Sequence, residues 1–326
     1  MALYPLLFEP IFKERVWGGR KLEMIFDKPL PAEVPIGESW EISDREGDIS
    51  TVMNGPYAGK DLHWLVENHS QELLGHARLE NGRFPLLIKI LDSREKLSLQ
   101  VHPPAEKAAR LGGEPKTEMW YIADAAPGAE LYVGLKRGVT REEFENKIRS
   151  GTVAECFYRL PVHPGDAMFL PSGRVHAIGA GLVIFEIQQN SDTTYRVFDW
   201  NRVGLDGKPR ALHVAESLES IDFDDFEPGL ARPKATQTGN LNSRCLVDDP
   251  LFRVNAITTM ARETMVFDEP KLRIIGVVGG HLTASDGKNS VRLTKGQFCL
   301  LPAGVSSAKL SIDASTNFVL VEPGQR

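Results

Sequence analysis

In residues 165–176 the chain reads Gly165-Asp-Ala-Met-Phe-Leu-Pro171-Ser-Gly173-Arg-Val-His176, and the same glycines and proline return at the same spacing in Gly296-Gln-Phe-Cys-Leu-Leu-Pro302-Ala-Gly304-Val-Ser-Ser307. Each copy predicts a turn at its first glycine, a short strand, and a second turn in which proline fixes φ and the last glycine supplies a positive φ. The residue aimed by this second turn is His176 in the first copy and Ser307 in the second. The repeat predicts two modules of the same fold.

The chain as a whole has the pattern expected of a β-protein, because its 29 glycines and 21 prolines separate short apolar runs. We predict buried strands in the runs Phe84 to Leu91, Ala167 to Leu170, Leu182 to Ile187 and Phe298 to Leu301. Helical periodicity is confined to a few segments, namely Asp61 to Leu74, Ala105 to Leu111, and Arg141 to Ile148 with Thr140 as its N-cap. The sequence therefore predicts an all-β fold with a few added helices.

The length of 326 residues exceeds the size at which a single hydrophobic core usually stops growing, so we expect two domains. Between Glu216 and Asn240 the chain becomes acidic and then rich in Pro, Thr and Gly, as is typical of a crossing between modules. We place the boundary near residue 235. Residues 1–235 then form the larger, metal-binding domain, and residues 236–326 form a smaller domain that has lost the histidine.

The composition argues against several classes of protein. A formal charge of −6 and a pI near 5.8 give no basic footprint for nucleic acid. No apolar run is long enough to span a bilayer, and the first ten residues do not read as a signal peptide, so we expect a cytoplasmic protein without a membrane partner. The three cysteines, Cys156, Cys245 and Cys299, are too few and too widely spaced for a disulfide framework or a thiolate metal site.

Four side chains of ligand type are placed where they can converge on a metal. Gln100 and His102 are two residues apart in an extended segment and so share one face. Glu118 opens another run of β-propensity, and His176 follows the glycine-rich turn. Taken alone, either histidine is better explained as an ordinary barrel residue and Glu118 as a solvent-exposed one, but the four together form a nitrogen and oxygen donor set that zinc accepts. Such a site retains a net positive charge of about one unit, which favours an anionic ligand.

The pattern G-x₅-P-x-G-x₂-H, complete from Gly165 to His176, resembles the second motif of the cupin family. This resemblance implies a double-stranded jelly roll in each copy of the repeat, with the metal ligand kept only in the first. The expected fold is thus two cupin-type jelly-roll modules with a few added helices.

Four segments taken in order resemble the type I phosphomannose isomerases in their shorter bacterial form. These segments are Leu97-Ser-Leu-Gln100-Val-His102-Pro, Lys116-Thr-Glu118-Met-Trp-Tyr, Val175-His176-Ala-Ile-Gly and Gln188-Gln-Asn-Ser-Asp192-Thr-Thr-Tyr-Arg196-Val. The resemblance implies one Zn²⁺ per chain, held by Gln100, His102, Glu118 and His176. It also implies that mannose 6-phosphate and fructose 6-phosphate are interconverted through a cis-enediol, without nucleotide or flavin, so that the partner is a small sugar phosphate.

Several other residues are candidates for catalysis. The resemblance places Lys116 and Arg196 in the same pocket, and Arg196 alternates with apolar neighbours in a strand that can aim it inward. The group that moves the proton stays open among Asp192, Lys116, Glu118 and a metal-bound water. Asp192 is our first choice because it stands four residues before Arg196, although a structural role in the loop explains it comparably well.

Two residues are candidates for binding the substrate phosphate. Lys89 interrupts a buried apolar run, where an ammonium without an anion would be costly, but an edge-strand lysine is a nearly equal explanation. Ser39 is the weaker candidate, because a lone serine beside tryptophan usually packs or forms a turn.

Two other functions are compatible with the same sequence features. A cupin dioxygenase would use iron with similar ligands, but the neutral Gln100 and the additional cations argue against it. A sugar-phosphate-binding regulator could keep the metal as a structural element, whereas retention of the complete first ligand set favours catalysis. The sequence does not determine the oligomeric state.

Overall fold

The computed structural model describes residues 2–305 and 307–325, so that Ser306 of the second repeat lies outside the described residues. The strands up to residue 235 are β1 (Ile11–Gly19), β2 (Ile36–Ile42), β3 (Asp44–Arg45), β4 (Asp48–Ile49), β5 (Leu86–Ser93), β6 (Leu99–Val101), β7 (Glu118–Ala125), β8 (Glu130–Leu135), β9 (Phe157–Pro161), β10 (Ala167–Leu170), β11 (His176–Ile178), β12 (Leu182–Gln189) and β13 (Tyr195–Phe198).

The strands after residue 235 are β14 (Thr236–Thr238), β15 (Leu241–Asp248), β16 (Phe252–Thr259), β17 (Glu263–Phe267), β18 (Arg273–Gly279), β19 (His281–Ser285), β20 (Ser290–Thr294), β21 (Phe298–Leu301), β22 (Ala308–Ile312) and β23 (Thr316–Pro323). The helices are α1 (Lys21–Phe26), α2 (Leu62–Asn68), α3 (Ser70–Leu74), α4 (Ala105–Ala108), α5 (Arg141–Ser150) and α6 (Val214–Ser220), with 3₁₀ turns at Gly55–Tyr57, Ala109–Leu111 and Val153–Cys156.

The strands form two antiparallel sandwiches. In the first module a six-stranded sheet, ordered β1-β2-β5-β12-β7-β10, packs on a five-stranded sheet, ordered β13-β6-β11-β8-β9. In the second module a six-stranded sheet, ordered β14-β15-β16-β23-β18-β21, packs on a four-stranded sheet, ordered β17-β22-β19-β20. The predicted all-β fold with two jelly-roll modules is confirmed.

The two modules share the largest hydrophobic core, which lies between their six-stranded sheets. Ile90 and Phe185 of the first module meet Val254 and Val321 of the second in this core. The opposite faces of the same sheets are buried inside each sandwich. Because β12 is buried on both faces, every residue of Leu182–Gln189 is buried, which explains why its sequence reads as an apolar run rather than as an alternation.

The N-terminal segment crosses from the first module to the second. The backbone N–H of Leu6 donates to the carbonyl of Leu300, and the N–H of Leu300 donates to the carbonyl of Leu6, both at 2.9 Å. The earliest part of the chain therefore extends the sheet that contains β21. The division into residues 1–235 and 236–326 stays a prediction, since chain order and spatial order differ at this edge.

The helices follow the sequence pattern in part. Thr140 caps α5 by accepting a hydrogen bond from the N–H of Glu143 at 3.2 Å, as predicted. The single helix expected from Asp61 to Leu74 is two helices, because His69 adopts a non-helical backbone with φ −136° and ψ 29°. The sequence did not predict α1 or α6. None of the helices in the described ranges has the length and apolar character needed to cross a membrane.

The second turn of the repeat differs between the two copies. Gly173 adopts φ +94°, as predicted. The expectation that Gly304 also supplies a positive φ is wrong, because the left-handed residue near this turn is Ser307, at φ +59°. Gly304 serves a different purpose: its N–H donates to the carbonyl of Glu72 at 2.7 Å, so its missing side chain allows the turn to dock closely on α3.

Candidate active site

Three of the four predicted metal ligands converge between the two sheets of the first module. His102 follows β6 and His176 opens β11, both in the five-stranded sheet, whereas Glu118 opens β7 in the facing six-stranded sheet. The three side chains are buried, and one ligand atom from each can be chosen so that all lie within 4.8 Å of one another. Because the three side chains come from both sheets, the packing of one sheet on the other determines the distances between them.

The hydrogen bonds of the two histidines determine which nitrogen faces the centre. Nδ1 of His102 lies 2.7 Å from the carbonyl of Thr193, and Nδ1 of His176 lies 2.9 Å from the carbonyl of Arg174. Because a carbonyl only accepts, each Nδ1 carries the proton and each Nε2 presents a lone pair. Burial lowers the pKa of His176 to about 3, so this ring is neutral at physiological pH.

The acidic member of the set is ionised. Burial alone would raise the pKa of Glu118, but the ammonium of Lys116 holds it well below its ordinary value. Its oxygens lie 3.5 Å from Nε2 of His102 and 3.4 Å from Nε2 of His176. Among the described residues, Nε2 of His102 makes no hydrogen bond, and the oxygens of Glu118 have no partner of this kind besides the ion pair that Oε2 forms with Lys116. Buried polar atoms without hydrogen bonds are costly, so the donor set fits a divalent cation.

Gln100 stands beside this group. It pairs with His176 across neighbouring strands, and its Nε2 lies 3.2 Å from Nε2 of His176. A glutamine binds a metal through oxygen, so the amide must present Oε1, which here accepts a hydrogen bond from Ser98 at 3.3 Å. The assignment of Gln100 as the fourth ligand stays a prediction.

A cavity of about 500 Å³ lies beside the group of ligands, where Gln100 and Lys116 line it. Its lining includes most of the side chains that the sequence singled out, namely Lys89, Gln100, Lys116, Asp192 and Arg196. The cavity is also lined by two tryptophans, Trp17 and Trp120, which offer aromatic faces to a sugar ring. This volume falls in the range of small-molecule sites.

Ser39 is not brought to the cavity. On β2, Glu38 and Trp40 point toward the site, and Ser39 points to the opposite face. Its hydroxyl donates to Glu41, which forms a buried ion pair with Lys28 at 2.7 Å. The structure therefore gives Ser39 a packing role and no access to a substrate phosphate.

The two lysines of the cavity already have anionic partners. Lys116 Nζ lies 2.9 Å from Oε2 of Glu118, and Lys89 Nζ lies 3.4 Å from Oε2 of Glu186. Lys89 also stands over the ring of Trp40. Burial would lower the pKa of Lys116, but the charges of Glu118 and Glu186 raise it, so the ammonium stays protonated. The cost of burying Lys89 is offset without a substrate phosphate.

Asp192 lies at the exposed rim of the cavity, on the loop that follows β12. Its charge contributes to raising the pKa of Arg15 and Lys116, so its carboxylate is close to both cations. It therefore faces the space where a sugar would lie, on the side of Arg196.

The sequence analysis missed Glu186, a buried carboxylate in the middle of β12. Its Oε1 accepts a hydrogen bond from Nε1 of Trp120 at 2.9 Å, and its register places it between Lys89 and Trp120 on the neighbouring strands. Burial and the nearby charge of Glu118 raise the pKa of Glu186 above its ordinary value. The available signal was an acidic residue in a run otherwise predicted to be a buried strand.

Comparison with known proteins agrees with this geometry. A profile of the type I phosphomannose isomerase catalytic domain matches residues 6–118. The mannose-6-phosphate isomerase ManA of Bacillus subtilis is 39% identical over 315 residues, which are 95% of this chain and 96% of that protein. The mannose-6-phosphate isomerase of Streptococcus mutans is 36% identical over 304 residues, covering 93% and 94% of the two chains.

A solved structure extends the similarity to the whole fold. The crystal structure of the mannose 6-phosphate isomerase from Bacillus subtilis superposes with a TM-score of 0.89 at 33% identity, covering 98% of this chain and 99% of that one. The resemblance of the four sequence segments is thereby confirmed. Since the similarity spans nearly all of both chains at well over 30% identity, this chain belongs to the type I phosphomannose isomerase family.

Proposed function

We propose that the chain interconverts mannose 6-phosphate and fructose 6-phosphate, using one divalent metal, in the cytoplasm. The observation that carries the proposal is the buried set of His102, Glu118 and His176, whose ligand atoms lie within 4.8 Å of one another beside a sugar-sized cavity lined by Gln100 and Lys116. We assign the metal as zinc, with Gln100 as fourth ligand, because two imidazoles, a carboxylate and a neutral oxygen suit this ion and leave room for substrate.

A bound zinc ion supplies Lewis-acid polarisation of the sugar oxygens at C1 and C2. The chain adds fixed charges around the same carbons. Lys116 and Arg196 line the cavity as cations, and each favours the negative charge that develops in a cis-enediol intermediate. Arg196 is the cross-strand neighbour of Gln100, so its strand position is beside the residue that would be the fourth ligand.

Proton transfer between C1 and C2 requires a group that can both take and return a proton. We assign this role to Asp192, which faces the cavity and is not a ligand. Glu186 is a second candidate on a specific observation, since its raised pKa brings protonation closer to neutral pH.

Deuterium exchange tests this assignment. In D₂O, an enzyme that moves the proton through a side chain incorporates solvent deuterium at C1 of fructose 6-phosphate. We expect Asp192→Asn to abolish isomerisation and deuterium incorporation while metal content stays at the wild-type level. If Glu186→Gln abolishes both and Asp192→Asn retains both, Glu186 is the proton carrier and the assignment to Asp192 is wrong.

Metal analysis of the purified protein, combined with an isomerase assay on mannose 6-phosphate, tests the proposal as a whole. We expect about one zinc per chain, loss of activity on chelation, and recovery on adding Zn²⁺. Reconstitution with Mn²⁺, Co²⁺ and Fe²⁺ compares the other ions that such ligands accept. Full turnover by a metal-free preparation would refute metal dependence, and absence of isomerisation in the zinc-loaded protein would refute the activity.

A further inference from the structure

The cavity described above carries five cations, and four of them already have an anionic partner. Lys89 and Lys116 pair with glutamates as given, the Nε of Arg15 lies 2.9 Å from Oε1 of Glu38, and Arg210 pairs with Asp199. The fifth cation is Arg196. Within residues 2–305 and 307–325 its guanidinium forms no ion pair, and its Nε is buried without a hydrogen bond.

An unpaired, partly buried guanidinium beside other cations is unfavourable on its own. Burial, followed by the charge of Arg210, lowers the pKa of Arg196, and Arg15 adds to the effect. A protein interior seldom keeps such an arrangement unless an anion completes it. The charges of Asp199 and Asp192 offset only part of this effect, so the cavity wall around Arg196 suits an additional anionic group.

Arg210 is the second guanidinium of this wall, and it is held rigidly. It lies on the segment between β13 and α6, where its Nε donates to Oδ2 of Asp199 at 2.7 Å and its Nη2 donates to Oδ1 at 2.6 Å. Asp199 is buried and also accepts from Arg202 at 2.8 Å. One carboxylate thus serves two guanidiniums, so this cluster keeps a net positive charge next to Arg196.

The two arginines are close enough to act on one anionic group, because the charge of Arg210 influences Arg196 more than any other charge does. Both line the cavity, Arg196 from β13 and Arg210 from the segment that also contributes Gly204 and Asp206. A six-carbon sugar whose C1 and C2 lie at the metal would extend its far end toward this segment. Two guanidiniums there match a phosphate dianion, which arginine binds in bidentate fashion.

We propose that Arg210, together with Arg196, binds the phosphate of the substrate, and that Asp199 is the positioning residue that holds Arg210 at the cavity. The proposal rests on the proposed function in taking a sugar phosphate as substrate. It places phosphate recognition on the segment after β13 and not at Lys89, whose charge Glu186 already balances.

Arg210→Gln tests the contact directly. We expect kcat/KM for mannose 6-phosphate to fall about 10- to 100-fold, as is typical for loss of one charge-assisted contact, with zinc content unchanged. By calorimetry, the Kd for inorganic phosphate should rise at least about tenfold. The matched control is Arg202→Gln, which removes the other partner of Asp199 without removing a cation of the cavity, and should leave the Kd for phosphate within about threefold of wild type.

Asp199→Asn tests positioning. A fixed Arg210 needs the carboxylate, so we expect a raised KM and a raised Kd for phosphate, with kcat changed by less than the KM. A purely structural role would instead lower the amount of folded protein and leave the Kd of the folded fraction unchanged. Arg210→Lys, which keeps the charge but loses the planar fork, should recover part of the affinity lost in Arg210→Gln.

Two results would overturn the proposal. If Arg210→Gln leaves both the Kd for inorganic phosphate and kcat/KM for mannose 6-phosphate within about threefold of wild type, Arg210 does not bind phosphate. If Lys89→Met raises this Kd tenfold and Arg210→Gln does not, the phosphate is bound at Lys89 and not at Arg210. Phosphate binding needs no turnover, so failure of the isomerase assay alone contradicts the proposed function and not this site.

Discussion

The two jelly-roll modules carry the same glycine and proline motif but fill the space between their sheets differently. In the first, the interior contains the aliphatic side chains of Ile122 and Ile184 together with the ligands and a charged cavity. In the second, the corresponding space is packed with apolar side chains such as Ile275 and Leu310. The comparison shows that two packed sheets joined by these turns are sufficient for the jelly-roll fold, and that the fold does not require a polar interior.

The difference is concentrated at the residue that follows the motif. His176 opens β11, is buried, and aims its Nε2 at the ligand group, whereas Ser307 is exposed and precedes β22. A buried polar group costs free energy unless it is paired, so a module without a ligand to bind is more stable with an apolar interior. The polar groups of the first module are therefore retained for binding and chemistry.

The largest effect is expected from breaking the metal site of the first module. His176→Ala removes one of the three ligand groups and leaves Glu118 in an incomplete site. We therefore expect loss of the metal and a fall in activity of at least about 10³-fold. Metal content per chain and isomerase activity measure this. His163→Ala, at an exposed histidine of the same module, is the matched control and should change neither.

The packed interior of the second module should respond in stability and not in chemistry. Leu310 is completely buried, so Leu310→Ala should lower the free energy of unfolding by about 2–5 kcal/mol, measured by urea titration, with metal content unchanged. Val266→Ala, at an exposed site of the same sheet, should change it by less than about 0.5 kcal/mol. A loss of metal in Leu310→Ala would show that the two interiors are not independent.

Acid should act on the polar interior of the first module. Burial alone would raise the pKa of Glu38, but Lys89 and Arg15 lower it to about 2. The unfolded value is higher, so this carboxylate contributes stability that is present above about pH 4.5 and is lost as pH falls toward 2, amounting to about 3 kcal/mol.

Urea titrations between pH 7 and pH 2.5 measure this effect. Glu38→Gln should be less stable than wild type at pH 7 and should approach it at the acid end. Glu46→Gln, at an almost fully exposed residue, is the control and should follow the wild-type curve. If Glu38→Gln shows the full acid dependence of wild type, the charges around Glu38 do not contribute to it.

The smallest effect is expected from restoring the missing histidine in the second module. Ser307→His recreates the motif in sequence, but the residue is exposed at φ +59°, and the described interior of this module is packed with apolar side chains. We expect no second metal per chain and a change in unfolding free energy below about 1 kcal/mol. A second tightly bound zinc in this variant would show that the turn alone determines the site.

Much of the site could be predicted because its residues lie in contiguous motifs. His102, Glu118 and His176 each stand at the start or end of a strand, where the turn and the strand order fix them. The face to which Ser39 points could not be predicted, because all seven residues of β2 are buried and the alternation that reveals register is absent. An error of one residue in the predicted register then moves a side chain from the face that lines the cavity to the face that packs in the core.

Pairing between distant residues was also beyond the sequence. Lys89 was expected to need a phosphate, but its partner is Glu186, which is adjacent only through the pairing of β5 with β12. Arg196 was expected to face the pocket, and the absence of an ion pair at its guanidinium among the described residues emerges only from the folded arrangement, in which Asp199 pairs with Arg202 and Arg210. Such accounting requires the three-dimensional arrangement.

The pairing of Leu6 with Leu300 bears on how the chain is made and folded. The two residues are separated by most of the chain, so this β-bridge closes a very long loop and contributes a contact of very high sequence separation. During synthesis, the first residues leave the ribosome long before β21 exists, so the backbone groups of Leu6 that pair with Leu300 have to wait for this partner until nearly the whole chain has emerged. Completion of the second sheet is therefore a late folding event, and a chain truncated before residue 300 leaves its N-terminal segment without the edge that it normally extends.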